Sequence, residues 1–250
     1  MSRESAGKRR VVVTGMGGIS PLGCRWDEIE ARLRARENAV RVIGEWKDIE
    51  KMNTHLAAPA ADFTLPAARY NRKTMRSMGR VAVLACRATE FALADAGLLE
   101  DRAFLGAGRM GVSYGSSCGA MDATADFARL LDTRVVDGLN ASSYIRMMPH
   151  TTAANIAIFY GLTGRIYTTS SACTSGSQGI GYACEAILHG HADAMVAGGA
   201  DELSVAQVAV FDTLYAASAK DDTPRLTPRP YDRDRDGLVI GEGGCTLILE

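Results

Sequence analysis

Aromatic side chains are scarce in this chain, at 6% with two tryptophans, which argues against an aromatic-rich β-sandwich. Its six cysteines form no C-x-x-C pair and their intervals are long and irregular, so neither a zinc site nor a disulfide framework is indicated. Charge of one sign is not in excess: the net charge of −1 provides no global attraction for nucleic acid. No apolar run is long enough to span a bilayer. The opening stretch, residues 1–10 (MSRESAGKRR), has no apolar core and is not read as a secretory signal. These absences point to a reducing compartment and a soluble, cytoplasmic protein without membrane attachment.

What is abundant is glycine, 26 residues, within a chain that is 47% hydrophobic and 250 residues long. That is enough to bury a sizeable core of helices packed closely on a sheet. Residues 11–14 (VVVT) read as a buried strand ended by Gly15, and residues 26–36 as a helix. An amphipathic pattern runs through residues 75–98 and stops near Gly97. Residues 110–114 read as a strand, 121–131 and 151–160 as helices with Gly161 halting the second, and 165–169 as a strand. A helix over 175–189, a buried strand over 193–200, a Pro/Asp/Arg-rich loop over 221–236 and a strand over 246–249 complete the pattern. Strands alternating with helices predict an α/β protein with a mainly parallel mixed sheet and helices on both faces.

The most informative stretch is residues 167–180, YTTSSACTSGSQGI. A strand delivers Cys173 to the start of a helix, where unpaired N–H groups and the helix dipole favour a thiolate. The small neighbours Ala172, Ser175 and Gly176 leave room for a substrate carbonyl, and the Cys173 N–H can face a developing oxyanion. This is the geometry a nucleophile needs for covalent acyl transfer. Spacing alone leaves Cys173 open between that role and the small buried hydrophobe that most free cysteines are.

The run ACTSG at residues 172–176 resembles the nucleophile motif of the elongating β-ketoacyl-[acyl carrier protein] synthases. Residues 10–23 (RVVVTGMGGISPLG), 192–200 (ADAMVAGGA) and 229–244 (RPYDRDRDGLVIGEGG) resemble that family's other blocks, in family order. The resemblance covers nearly the whole chain and identifies it, over residues 1–250, as the amino-terminal half of a thiolase-like ketosynthase. It implies decarboxylating condensation: an acyl group passes from carrier-protein phosphopantetheine to Cys173, and malonyl-carrier protein loses carbon dioxide and attacks the thioester. Chain-length-factor relatives lack this cysteine, so Cys173 argues for a condensing subunit. Acyl carrier protein is then the partner, a homodimer the expected assembly, and no cofactor or metal of the protein's own is needed.

By the same resemblance Cys118 (in SSCGA) and Phe211 (in AVFDTL) line the acyl pocket, although plain core packing explains both equally well. Arg72, Lys73 and Arg76 lie within about one helical turn. They read either as a solvated face or, by resemblance, as the docking site of the acidic carrier protein.

The family draws two histidines and a lysine from a second half, which implies a polypeptide that continues beyond this sequence. A half alone is expected not to condense and to be sticky or to self-associate. None of the chain's four histidines fits the catalytic role: His189 and His191 fall at the far end of the Cys173 helix, and His55 and His150 match no catalytic position. The rival readings are a coenzyme A-dependent thiolase-like enzyme and a non-catalytic half-domain partner subunit; a cysteine hydrolase would need a histidine near Cys173.

Three weaker motifs are set aside. Residues 14–20 (TGMGGIS) only partly match a dinucleotide loop, since Ser20 replaces the third glycine. Asp232, Asp234, Asp236 and Gly237 open like an EF-hand, but Gly243 stands where its bidentate Glu belongs. Ser177 lacks the G-x-S-x-G spacing of a hydrolase elbow.

Overall fold

The computed structural model describes residues 9–250, so most of the polar opening stretch lies outside the described residues. In chain order the elements are β1 (Val13–Ile19), α1 (Trp26–Arg34), β2 (Arg41–Val42), β3 (Leu56–Ala58), α2 (Arg80–Asp95), α3 (Arg102–Leu105), β4 (Met110–Gly115), α4 (Met121–Thr133) and α5 (Ala141–Met147). Then follow α6 (Thr151–Tyr160), β5 (Ile166–Thr169), α7 (Ser175–Leu188), β6 (Ala194–Asp201), α8 (Val205–Thr213), β7 (Ile240–Gly241) and β8 (Gly243–Leu249). They divide into two compact units. The first comprises residues up to 18, 65–201 and 244–250, and the second residues 19–64 and 202–243.

The first unit is built on a five-stranded sheet in the order β1-β8-β6-β4-β5. β4 pairs in parallel with both β5 and β6. Val12 and Glu250 exchange both backbone hydrogen bonds, at 2.9 and 3.1 Å, the pattern of an antiparallel pair, so the sheet is mixed. β8 therefore sits inside the sheet, between β1 and β6. One face buries Met195, Ala197 and Leu249 against Ala183, Ala186 and Ile187 of α7. On the other, Thr246 of β8 meets Thr89 of α2 at 3.2 Å, and the Tyr160 hydroxyl of α6 donates to the Cys86 carbonyl of α2 at 2.7 Å. Helices thus cover both faces, as expected from the alternating pattern.

The sequence reading needs correction at β1. The strand does not stop at Gly15 but continues through the glycine run to Ile19. A Cβ on Gly15 would lie 2.3 Å from the Ala92 carbonyl oxygen, and one on Gly17 would lie 2.4 Å from that of Ala88. These glycines let α2 lie directly on the strand, which also disposes of a dinucleotide loop there. Val12 and Val13 are 46% and 50% exposed rather than buried, because β1 is an edge strand.

A second correction concerns the start of α2, which begins at Arg80 rather than near Met75. Asn71 Oδ1 accepts from the Lys73 and Thr74 N–H groups at 3.0 and 3.2 Å, and Thr74 Oγ1 donates to the Arg69 carbonyl at 2.7 Å. Such side-chain bonds hold residues 71–78 in turns that compete with a helix. The end of α2 matches expectation: Gly97 is left-handed (φ +71°) and the Leu98 N–H reaches back to the Leu93 carbonyl at 2.8 Å.

The second unit contains the small sheet β2-β3-β7, α1 and α8. Its core gathers Trp46, Ala57 and Val208. Asp212 of α8 is buried and accepts from the backbone N–H groups of Asn53 and Thr54 at 2.9 and 3.0 Å, satisfying a loop that has no strand partner there. Asp232, Asp234 and Asp236 are spent on internal contacts: Asp232 Oδ1 accepts from the Asp234 N–H at 2.7 Å, and Asp236 accepts from Ser218 Oγ. Among the described residues no three His, Cys, Asp or Glu side chains converge as metal ligands, and no helix is long and apolar enough to cross a membrane.

Candidate active site

β4, β5 and β6 run parallel, and the last residues of β4 and β5, Gly115 and Thr169, lie in register with Gly199, two residues before the end of β6. Their following turns therefore leave the same edge of the sheet, the edge at which parallel α/β sheets hold ligands. The Ser116 N–H donates to the Thr169 carbonyl at 3.2 Å, tying the turn after β4 to the end of β5.

Cys173 belongs to the turn between β5 and the 14-residue helix α7. It is exposed. Its backbone forms an isolated parallel bridge with Ser171. Ala172 before it is left-handed, φ +54°, a conformation that a residue with a Cβ adopts only under local compulsion. Cys86 is fully buried in α2, and burial pushes its thiol up, away from reactivity. None of the six cysteines forms a disulfide, and Cys118 and Cys245 share Cys173's exposure.

Two features pin α7 over this edge. A Cβ on Gly115 would lie 2.5 Å from the Ser175 carbonyl carbon, and one on Gly199 would lie 2.8 Å from the Gly176 Cα. The helix therefore starts in backbone contact with β4 and β6. By its size Ser175 is expected to be one of the small residues that leave room for substrate. It is instead 2% exposed, with its hydroxyl turned inward on Ser171 and Ala172. A hydroxyl, where steric room alone would call for Ala or Gly, was the available signal.

Cys118 is presented by the turn after β4, and Asp201 shapes that turn. The Asp201 carboxylate accepts from Ser116 Oγ at 3.0 Å, the Ser117 N–H at 2.7 Å and Ser117 Oγ at 2.9 Å. Asp201, at the end of β6, had no distinguishing sequence signal beyond following a strand. Cys118 and Cys173 thus emerge from one edge of one sheet. Phe211 is half-buried on α8 and belongs to the second unit. Arg72, Lys73 and Arg76 are exposed on the turns before α2, and among the described residues none has an ion-pair partner. His189 caps the far end of α7, and His191 follows it. At 1.5 Å per residue that is about 20 Å from Cys173, outside hydrogen-bond reach. His55 lies in the second unit, 2.5 Å from Asp221, and His150 precedes α6.

A cleft of about 470 Å³ opens in the second unit, lined by residues that include Arg41, Ile43, Trp46 and Leu203. It contains none of the residues singled out from the sequence.

An exposed thiol on a strained turn, followed by a long helix and backed by a mixed sheet, is an arrangement in which a cysteine of an α/β protein can act as a nucleophile. Comparison makes this specific. Residues 8–250 match the profile of the beta-ketoacyl synthase, N-terminal domain, and the chain belongs to that family. It is 34% identical to 3-oxoacyl-[acyl-carrier-protein] synthase 1 of Haemophilus influenzae, covering 97% of this chain and 59% of that protein. A putative polyketide beta-ketoacyl synthase 1 of Streptomyces halstedii is likewise 34% identical, with 97% and 58% covered. The crystal structure of a beta-ketoacyl synthase from Burkholderia phymatum superposes with a TM-score of 0.93 at 55% identity, covering 98% of this chain and 59% of that one. The chain thus spans somewhat over half the length of the relatives it matches.

Proposed function

We propose that the protein serves β-ketoacyl-[acyl carrier protein] synthesis, with Cys173 as the residue that carries the acyl chain. The observation that carries this reading is the exposed Cys173 thiol on the turn that leads into α7. The thiolate attacks the carbonyl of an acyl-phosphopantetheine thioester, the oxyanion forms beside the Cys173 N–H, and collapse expels the pantetheine thiolate and leaves acyl-Cys173. In the condensation that follows, malonyl thioester loses carbon dioxide. Its carbanion attacks the acyl-Cys173 carbonyl, and the product leaves on the carrier as Cys173 is released as thiolate. The described residues support the first of these steps, since no histidine is placed to stabilise the enolate of the second.

Arg72, Lys73 and Arg76, exposed and without ion-pair partners, suit the encounter with an acidic carrier protein. One solved relative is a ketosynthase in complex with a type II polyketide acyl-carrier protein. Cys118, on the same sheet edge as Cys173, is proposed to border the acyl chain. A homodimer, a cytoplasmic location and the absence of a resident cofactor complete the reading.

The test is intact-mass and peptide mass spectrometry after incubation with acyl-carrier protein or with the matching acyl-coenzyme A. An acyl adduct on Cys173 from the carrier thioester, absent from Cys173→Ala, is expected. Preference for the free coenzyme would select the thiolase-like reading, and no adduct from either donor would leave the non-catalytic partner subunit.

A further inference from the structure

We propose that Ser175 is a positioning residue for Cys173: its buried hydroxyl clamps the left-handed turn at Ala172 and so aims the thiol and the Cys173 N–H together. This rests on the reading of Cys173 as the acyl carrier. The Cys173 side chain is exposed, so its direction is set by its backbone more than by packing around it. That backbone passes through Ala172 at φ +54°, where a Cβ is disfavoured and glycine is the usual occupant.

Such a conformation persists only when the surroundings over-determine it. Ser175 does so from both sides. Its Oγ donates to the Ala172 carbonyl at 2.6 Å and accepts from the Ser171 N–H at 2.9 Å, while its own N–H donates to the same Ala172 carbonyl at 3.0 Å. Ser175 is fixed in turn: Thr169 Oγ1 donates to its carbonyl at 2.8 Å, and Gly115 abuts it. Thr174 supports the turn only from its solvent side, donating to the Ser171 carbonyl at 2.9 Å. The anchoring runs from the rigid ends of β4 and β5, through one hydroxyl, to the turn that carries the sulfur.

The experiment measures alkylation of Cys173 by iodoacetamide, followed by peptide mass spectrometry, with Cys118 as the reference thiol in the same molecule. Ser175→Ala should slow Cys173 about tenfold relative to Cys118, equivalent to a single lost interaction of about 1.4 kcal/mol. Adding Ala172→Gly to that variant should restore most of the rate, because glycine holds a positive φ without a clamp. A purely structural role for Ser175 would not be rescued in this way. If wild-type Cys173 reacts no faster than Cys118, the acyl-carrier reading itself fails. If wild-type Cys173 is fast and Ser175→Ala equally fast, or if Ala172→Gly restores nothing, the positioning role is overturned while the carrier reading stands. Should circular dichroism show Ser175→Ala unfolded, amide exchange in the wild-type protein decides: the Ser171 N–H should exchange at least about tenfold more slowly than the intrinsic rate of an unstructured amide, and an unprotected Ser171 N–H overturns the proposal.

Discussion

Gly115 at the end of β4 and Ser175 at the start of α7 touch backbone to backbone. A Cβ on Gly115 would meet the Ser175 carbonyl carbon at 2.5 Å, its carbonyl oxygen at 2.6 Å and Thr169 Oγ1 at 2.6 Å. Two of these three atoms are main chain and cannot swing aside. Gly115→Ala should therefore push the first turn of α7 off the sheet and cost about 2–3 kcal/mol of stability. Urea denaturation should show a lower midpoint, and Cys173 should lose its alkylation advantage over Cys118. An unchanged midpoint would mean that the contact is looser in solution.

Cys173→Ala separates chemistry from folding. Because the side chain is exposed, the change should alter stability by less than about 0.5 kcal/mol while abolishing the acyl adduct. A large stability loss would indicate that the thiol is part of the core. Persistence of the adduct would move the nucleophile elsewhere.

The basic turn before α2 gives an electrostatic prediction. Reversing Lys73 and Arg76 to Glu should weaken carrier-protein binding at low salt, and the difference from wild type should shrink as ionic strength rises. Isothermal titration across a salt series reads this directly. Identical affinities throughout would remove these residues from the docking site.

Asp193 supplies a pH prediction. The Arg109 guanidinium, at 2.8 and 2.5 Å, with Arg9 at 3.3 Å, lowers its carboxyl to about 2. A depressed folded-state value means that the pair's contribution is complete above the ordinary carboxylate range and fades as pH falls from about 4 towards 2. Both partners are roughly half exposed, so solvent screening keeps the contribution small. Asp193→Asn should be slightly less stable than wild type at pH 7, with the gap closing on acidification. A gap that is the same at pH 7 and pH 2 would assign the effect to packing.

How far the sequence could be read depended on how local the cause was. Gly161 at φ +70° stops α6 directly after Tyr160, and α7 starts at Ser175, because caps and periodicity act within a few residues. β2, β3 and β7 have two or three residues each and pair Ala57 with Arg41 on one side and Ile240 on the other, partners brought together only by the chain's return. No local pattern announces them. β1 likewise extends through a glycine run that propensity would make a loop, because α2 needs the space that side chains would take.

At the candidate site the same division holds. Resemblance of the ACTSG run and the accompanying blocks sufficed to identify the family and to put Cys173 forward as the candidate nucleophile, since a motif is visible in one dimension. Tertiary structure alone made Ser175 a clamp, Asp201 the holder of the Cys118 turn, and the edge where β4, β5 and β6 end the common origin of both cysteine turns. Hydrogen bonds and backbone contacts between residues dozens of positions apart exist only after parallel strands have been aligned. A hydroxyl or a carboxylate carries no mark in the sequence of what it will face.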